Sequence, residues 1–325
     1  MAFRSFLCAL IGLLLWLPII GLIAHQDNAV SVVTAGLWTL LDPIFPVNKH
    51  AHVNYGVHDP RPAGNGPKAF SAAKGIAIEH VFISWLAPHR TSDQSTLEEM
   101  GRYAQERQRW LMITIEPYPD GNTSGAEGYL HHVAAGTYDP IIAAACRQIG
   151  ALDAPVFIRW GHEMEPPQVN YPWSSQPPED YIAAYRRFVT QCRHWVTEGY
   201  YVWSPLGYPG LADYWPGKPY ADYVGVTLLT SSTLEHEHLG HALLFPDRFT
   251  PLYRLLTPFD RPIMIAELGI AGEPADQREW LGSLFRTVES FPQLKTVVYF
   301  NAISPLAWPE EDLYPDWRIT AQAFE

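Results

Sequence analysis

A group of ionisable side chains follows an apolar run in the stretch VFIRWGHEMEPP, residues 156–167. Arg159, His162 and Glu163 stand close together where a strand pattern ends, and Glu267 ends the second apolar run PIMIAE. Two carboxyl groups that face each other across a cleft can break a glycosidic bond. One protonates the leaving oxygen, while the other attacks the anomeric carbon or activates water. The residue types therefore predict paired-carboxylate chemistry.

Each of these residues also has a structural interpretation. Glu163 could simply pair with Arg159, and a lone Glu267 at a strand end could cap a helix or balance a nearby Arg. His162 could ligate a metal, but no second ligand stands at helical or strand spacing beside it. We therefore predict no metal and no organic cofactor. Glu165 adds a third carboxylate, which we expect on the rim of the cleft.

Short β-branched and aromatic runs alternate with helical patterns along the chain from residue 52 onward. The eight predicted strands cover residues 52–58, 78–85, 110–117, 155–163, 200–205, 223–229, 262–269 and 296–302. Eight strands that alternate with helices are typical of a (β/α)8 TIM barrel. A doubly wound open sheet is the alternative, but no Gly-rich phosphate turn follows an early strand. We predict one barrel domain over residues 51–325.

The barrel prediction places the two carboxylates. Side chains on a strand alternate between its two faces, so Ile263, Ile265 and Glu267 should share the inner face of strand seven. Strands four and seven lie across a barrel from each other, and active sites form at the carboxyl ends of the strands. We therefore expect Glu163 and Glu267 to meet at the barrel mouth.

The amino-acid composition limits which kinds of partner the protein can be expected to bind. The formal net charge is −12, which argues against nucleic acid, because phosphate binding needs clustered Lys and Arg. Twelve Trp and seventeen Tyr fit either a large aromatic core or a cleft lined with flat rings for sugars. The predicted substrate-binding residues stand at or just after strand ends: His58, Trp85, Glu116, Tyr118, Trp173, Trp203 and Trp308.

The first 50 residues are predicted to lie apart from the barrel. Phe6 to Ala24 form 19 residues without a charge, with Arg4 before them and Asp27 after them. This pattern indicates an uncleaved membrane anchor or a cleavable signal peptide over residues 1–25. An amphipathic helix or linker should follow over 26–50. Both alternatives place the barrel outside the cytoplasm, either anchored or secreted.

Two of the three cysteines could form a disulfide. Cys146 and Cys192 fall in predicted helices on either side of strand four. In an oxidising compartment they could bridge, whereas buried free thiols are the alternative.

Several motifs together resemble glycoside hydrolase family 26, a clan A family of (β/α)8 enzymes that includes β-mannanases, some β-1,3-1,4-glucanases and β-1,3-xylanases. They are FIRWGHEMEPPQVNYPW, WLMITIEPYPD, YVWSPLGYPGLADYWPGKPYADYVGV, RPIMIAELG, VVYFN and DWRI, in family order. The resemblance implies that Glu163 is the acid/base and Glu267 the nucleophile of a retaining mechanism. Arg159 and His162 stand where the family has residues that support these carboxylates.

This chain departs from the family pattern at two places. Glu165-Pro166 replaces the usual Asn-Gly, and Leu229 lies near the place of a Tyr that contacts the nucleophile. The resemblance implies a retaining endo-β-glycosidase acting on an extracellular or cell-surface polysaccharide of β-mannan or β-glucan type. A sugar-binding barrel with little or no turnover, in a polysaccharide-synthesis or export machinery, is the alternative, and transglycosylation is a third.

Overall fold

A computed structural model describes residues 53–60, 75–92, 95–119, 128–165, 171–174, 176–305, 308 and 314–319. They form a closed barrel of eight parallel strands in the order β1 to β8, as predicted. The strands are β1 Asn54–His58, β2 Ile76–Ser84, β3 Trp110–Glu116, β4 Val156–Trp160, β5 Gly199–Trp203, β6 Tyr223–Ser231, β7 Ile263–Ala271 and β8 Leu294–Phe300.

Helices connect the strands on the outside of the barrel. The α-helices are α1 Leu97–Glu106, α2 Tyr129–Ala135, α3 Asp139–Gly150, α4 Pro178–Cys192, α5 Ser232–Leu239, α6 Phe245–Leu256 and α7 Pro274–Thr287. Short 3₁₀ turns are found at Leu211–Tyr214, Thr257–Phe259 and Val288–Ser290. Thr96 caps α1 in a capping box with Glu99, which explains why the helix begins there.

The barrel interior changes from apolar to polar toward the carboxyl ends of the strands. Its apolar cluster consists of Ile78, Met112, Phe157, Val202, Met264, Ala266 and Val298. Two residues further along their strands, Thr114 and Arg159 are paired neighbours and both are fully buried. The apolar layer supplies hydrophobic stability, and the polar layer above it can hold charged groups in place.

Strand β7 does not follow the simple alternation that the sequence suggested. Val226 of β6 pairs with Ile265, but the next residue, Thr227, pairs with Glu267. One extra residue in β7, Ala266, is therefore accommodated by a β-bulge, and Ala266 belongs to the interior cluster. The prediction that Ile265 and Glu267 share a regular inner face was wrong, and the bulge is what turns Glu267 inward.

Cys146 of α3 and Cys192 of α4 form a disulfide, with their Cα atoms 5.1 Å apart. The sequence left open a disulfide or two buried free thiols, and the structure has the disulfide. Both cysteines are fully buried. The bridge joins the two helices that flank β4, the strand that leads to Glu163.

The barrel belongs to a compact unit that holds residues 49–72 and 76–325. A second unit, residues 1–48 with 73–75, lies outside the described residues apart from Gly75. The predicted anchor or signal segment and the amphipathic helix over 26–50 therefore fall outside them as well. In the part of the chain that is described, no helix has the length and apolar character needed to cross a membrane.

Candidate active site

The segment after β4 has an unusual backbone that directs Glu163. Gly161 and Glu163 both have positive φ, 53° and 55°. This left-handed conformation is natural for Gly but costs a residue with a side chain about 1–3 kcal/mol. The Glu163 N–H donates to the Ser204 carbonyl 2.8 Å away, at the end of β5. Glu163 is therefore held in a strained conformation by its neighbour strand, a feature that is common at functional sites.

One hydrogen-bonded chain connects the two carboxylates. The Arg159 guanidinium donates through Nη1 to Glu267 Oε1, and through Nη2 to Thr227 Oγ1 at 3.1 Å. The Thr227 hydroxyl in turn donates to Glu163 Oε1. Arg159 Nη2 also lies 3.7 Å from Glu163 Oε1. Arg159 is fully buried, while Glu163 and Glu267 are 8% and 6% exposed, so both carboxylates keep a small opening to solvent.

The two carboxylates are close enough to act on one bond. One oxygen of Glu163, one of Glu267 and one ring nitrogen of His162 all lie within 4.8 Å of one another. Such a donor set could in principle bind a transition metal ion. The positive Arg159 guanidinium already contacts Glu267 and lies beside Glu163, which opposes a cation at the same place. Acid–base chemistry is therefore the better match to this arrangement.

The environment of Glu163 favours its protonated form. Burial, followed by the negative charge of Glu267, raises the pKa of Glu163 to about 7. The Arg159 charge and the Thr227 hydrogen bond act in the opposite direction. A carboxyl group with such a pKa can donate a proton near neutral pH, as a general acid must.

Glu116, at the end of β3, brings a third carboxyl group to the site. It is half-buried, and burial together with the Glu267 charge raises its pKa to about 7. Its interaction with both Glu267 and Arg159 places it beside the catalytic candidates. The predicted role of Glu116 in binding a sugar hydroxyl stays a prediction.

His162 is buried in an aromatic setting beside the carboxylates. Burial and the nearby Arg159 charge hold its pKa well below the usual value, so the ring is neutral. His162 Nε2 lies 3.3 Å from the Tyr171 hydroxyl, and the Trp173 indole N–H donates to the His162 carbonyl at 2.6 Å. These contacts fix the position of the residue immediately before Glu163.

Tyr171 is a site residue that the sequence analysis missed. Burial raises its pKa well above the usual value, and the charges of Glu163, Glu267 and Glu116 raise it further. Its hydroxyl lies 3.3 Å from Nε2 of His162, the residue before Glu163. The signal was present, because Tyr171 stands in the quoted motif QVNYPW shortly after Glu163.

The prediction that Trp85, Trp173 and Trp203 form a sugar-stacking surface was wrong. All three are 0–1% exposed. Trp85 stacks on Tyr138, with ring centres 5.0 Å apart, and Trp203 packs edge-on against Trp215 at the same distance. These rings pack against other aromatic side chains and have no face open to a ligand.

The other predicted binding residues have different positions. His58 is buried and stacks on Phe300, with ring centres 4.8 Å apart, so it lies inside the barrel. Tyr118 is half-buried, and its ring lies edge-on to Trp173 at 5.3 Å. Trp308 is half-buried and packs beside Trp317. Tyr118 and Trp308 therefore remain candidates for sugar contact.

Glu165 does not lie on the rim, where the sequence suggested. Its side chain is fully buried, and its carboxylate accepts from the backbone N–H groups of Leu206, Gly207 and Tyr208. Leu229, the second departure from the family pattern, packs against an apolar cluster that includes Phe82 and Trp317. Both departures thus fill structural positions around the site.

Comparisons with known proteins agree with this architecture. No protein-family model matches the chain. It is 25% identical to the β-1,3-xylanase TXYA of a Vibrio species over 201 residues, which are 56% of this chain and 43% of that protein. It is 24% identical to endoglucanase H of Acetivibrio thermocellus over 276 residues, 80% of this chain and 28% of that protein. The chain thus spans less than half the length of either relative.

One solved structure matches a larger share of this chain, and of its own chain, than these two relatives do. A modular endo-β-1,4-mannanase from Cellulomonas fimi, of glycoside hydrolase family 26, superimposes with a TM-score of 0.57 at 15% identity. The match covers 84% of this chain and 74% of that one. The chain therefore shares its (β/α)8 fold with this family 26 mannanase.

Proposed function

We propose that this protein is a retaining endo-β-glycosidase that cleaves a β-linked polysaccharide of the mannan or glucan type. The main support for this proposal is the pair of carboxylates at the barrel mouth. Oxygen atoms of Glu163 and Glu267 lie within 4.8 Å of each other. Retaining glycosidases have carboxyl groups about 5–5.5 Å apart, whereas inverting enzymes need about 6.5–9.5 Å for an intervening water.

The two residues would act in two steps. Glu267 attacks the anomeric carbon, the bond from that carbon to the bridging oxygen breaks, and the Glu163 proton passes to that oxygen. Glu163, now a carboxylate, then takes a proton from water. The resulting hydroxide attacks the anomeric carbon and frees Glu267, so the configuration is inverted twice and retained overall.

The surrounding residues would prepare this chemistry. Arg159 contacts Glu267 and keeps a positive charge beside it, which favours the ionised nucleophile. Burial beside Glu267 keeps Glu163 protonated at the start. Neutral His162 adds no charge of its own, and its contacts with Tyr171 and Trp173 orient the segment that carries Glu163.

The relatives support a polysaccharide substrate. The named proteins are a β-1,3-xylanase, an endoglucanase and an endo-β-1,4-mannanase, and the names of the first and the third give a β-linkage. The Cys146–Cys192 disulfide supports a compartment outside the cytoplasm. An N-terminal anchor over residues 1–25 would keep the enzyme near the cell surface, and this part of the proposal rests on the sequence alone.

The test is hydrolysis by the full chain. We would incubate it with β-1,4-mannan, mixed-linkage β-glucan and β-1,3-xylan, count new reducing ends, and follow the first anomer released by proton NMR. Activity with a β-anomer as the first product is expected. Removal of the nucleophile in Glu267→Ala should lower kcat by roughly 10⁴-fold or more.

Glu235→Gln is the matched control, because Glu235 is another buried carboxylate with backbone and side-chain donors but lies on α5. It should retain parental activity. A first product with the α-configuration would contradict the retaining mechanism. No release from any polymer, with tight binding to one of them, would favour the sugar-binding alternative.

A further inference from the structure

The Glu165 carboxylate accepts several backbone hydrogen bonds from the loop that follows β5. Its Oε2 accepts from Leu206 N at 2.8 Å, and its Oε1 accepts from Gly207 N at 2.9 Å and Tyr208 N at 3.3 Å. Three consecutive N–H groups thus surround one carboxylate. Within the described residues no Lys or Arg forms a salt bridge with Glu165, so these backbone dipoles are the groups seen to stabilise its buried charge.

The loop that Glu165 holds is the one that holds Glu163. Residues 204–208 follow β5, and the Ser204 carbonyl accepts the Glu163 N–H at 2.8 Å. Hydrogen bonds therefore run in both directions between the same two segments. The β5 loop accepts from Glu163, and two residues later Glu165 accepts from the β5 loop. Gly207 has φ of 107°, a conformation that only Gly adopts easily and that lets its N–H point toward the carboxylate.

We propose that Glu165 is a positioning residue for Glu163, acting through the loop of residues 204–208 to fix the peptide that directs the acid/base. This inference rests on the proposed function, because it concerns the reaction that Glu163 performs. Glu163 has a left-handed backbone, a strained conformation that its hydrogen bond to Ser204 helps to hold. Freeing the loop would allow this backbone to relax and would move the acid away from the bond it protonates.

The side chain type matters to this arrangement. A carboxylate has only acceptor atoms, so both oxygens can face N–H donors. An amide at the same place would turn its own NH₂ group toward a backbone N–H and lose at least one bond. Glu165→Gln is therefore a nearly isosteric change that should loosen the loop without creating a cavity.

The experiment compares Glu165→Gln with Glu235→Gln on two kinds of substrate. Unactivated polysaccharide needs a proton on its leaving oxygen, whereas a dinitrophenyl β-glycoside has a leaving group that departs without one. On polysaccharide, kcat/KM of Glu165→Gln should fall roughly 10- to 100-fold, as expected for a misplaced catalytic group. On the dinitrophenyl glycoside, kcat/KM reports only the first step, which needs no acid, so it should change little, and Glu235→Gln should match the parent on both.

An equal loss of kcat/KM on both substrates would overturn the proposal, because it would indicate a general structural role. A turnover-free measurement keeps the test independent of the proposed function. The amide hydrogen of Glu163 should exchange faster in Glu165→Gln than in the parent or in Glu235→Gln. Faster exchange at residues 206–208 alone, with Glu163 unchanged, would also overturn it. If the parent hydrolyses nothing, the proposed function fails while this exchange result still decides the inference.

Discussion

Glu163 and Glu267 lie beside a single guanidinium at the barrel mouth, and a third carboxyl group, that of Glu116, interacts electrostatically with it. Glu163 and Glu116 both interact electrostatically with Glu267 and with Arg159. One positive charge cannot balance three negative charges at this degree of burial, so protons must remain on some of the carboxyl groups near neutral pH. Arg159 donates directly to Glu267, which leaves Glu163 and Glu116 as the proton holders.

This charge balance predicts the pH profile. The pKa of Glu163 is about 7, and the acid works only when protonated, so kcat/KM should fall as pH rises through about 7. The pKa of Glu116 is also about 7, so the variant Glu116→Gln separates the two groups. In Glu116→Gln, the fall of kcat/KM at alkaline pH (the alkaline limb of the profile) should persist. A profile from pH 5 to 9 measures this, and loss of the limb in Glu116→Gln would make Glu116 the acid.

The same balance predicts the effect of removing the Glu267 charge. Burial and the Glu267 charge both raise the pKa of Glu163, with burial the larger cause, and the same two causes act on Glu116. Glu267→Gln keeps the side-chain size but removes the charge and releases Arg159. The pKa values of both remaining groups should therefore fall. Carboxyl ¹³C NMR titration of labelled Glu would detect this, and unchanged values would show that Glu267 is not the neighbouring charge.

At the scale of elements, the strands could be predicted from the sequence because their β-branched and aromatic runs form a local pattern. All eight predicted strands overlap an observed one. Strand four was predicted to run to residue 163, but β4 ends at Trp160 and Glu163 lies in a left-handed turn that no strand pattern predicts. The bulge at Ala266 was not predicted either, because an extra residue depends on how β7 pairs with β6, which no local pattern records. Glu267 reached the mouth for a reason other than the predicted alternation.

The aromatic residues show the other limit of sequence analysis. A Trp at a strand end has the same local pattern whether its ring faces a sugar or another ring. Trp203 is buried by Trp215 and Phe259, and Phe259 lies 56 positions further along the chain. Such partners are set by tertiary packing. Glu165 was misplaced for the same reason, since its backbone donors begin at Leu206.

The left-handed backbone turn after β4 leads to a prediction about Gly161. Gly161 has φ of 53°, and a Cβ there would meet ordinary contacts of 3.6 Å or more, to Tyr181, Pro117 and Trp173. Gly161→Ala should therefore cost about 1–2 kcal/mol through backbone conformation alone. Because the turn directs Glu163, kcat should fall as well. Denaturant unfolding and polysaccharide hydrolysis measure the two effects.

Gly240 provides a matched control for that variant. Its φ is 79°, a Cβ there would meet nothing within 4 Å, and it caps α5. Gly240→Ala should show a similar loss of stability with parental kcat. If both variants kept full activity, the turn at Gly161 would not be what positions the acid.

At the scale of the whole molecule, the reactive end and the stabilising parts are separated. The apolar cluster fills the barrel interior before the polar layer begins, and the disulfide joins α3 and α4 on the outside. The net charge of −12 gives no attraction to anionic polymers, which agrees with a neutral polysaccharide as substrate. Changes to the outer shell should therefore affect stability more than catalysis.

The disulfide provides the test of that separation. Cys146 and Cys192 are 46 positions apart, and a bridge over such a loop stabilises a fold by about 2–4 kcal/mol, largely by restricting the unfolded chain. Cys146→Ala/Cys192→Ala should lower the free energy of unfolding by about that amount, with kcat unchanged at temperatures where the protein stays folded. Urea unfolding of the parent with and without reductant is the control, since reduction should reproduce the loss without removing any side chain. A fall in kcat at low temperature in both the variant and the reduced parent would mean that the helix pair around β4 also sets the position of Glu163. In that case the outer shell and the active site would not be independent.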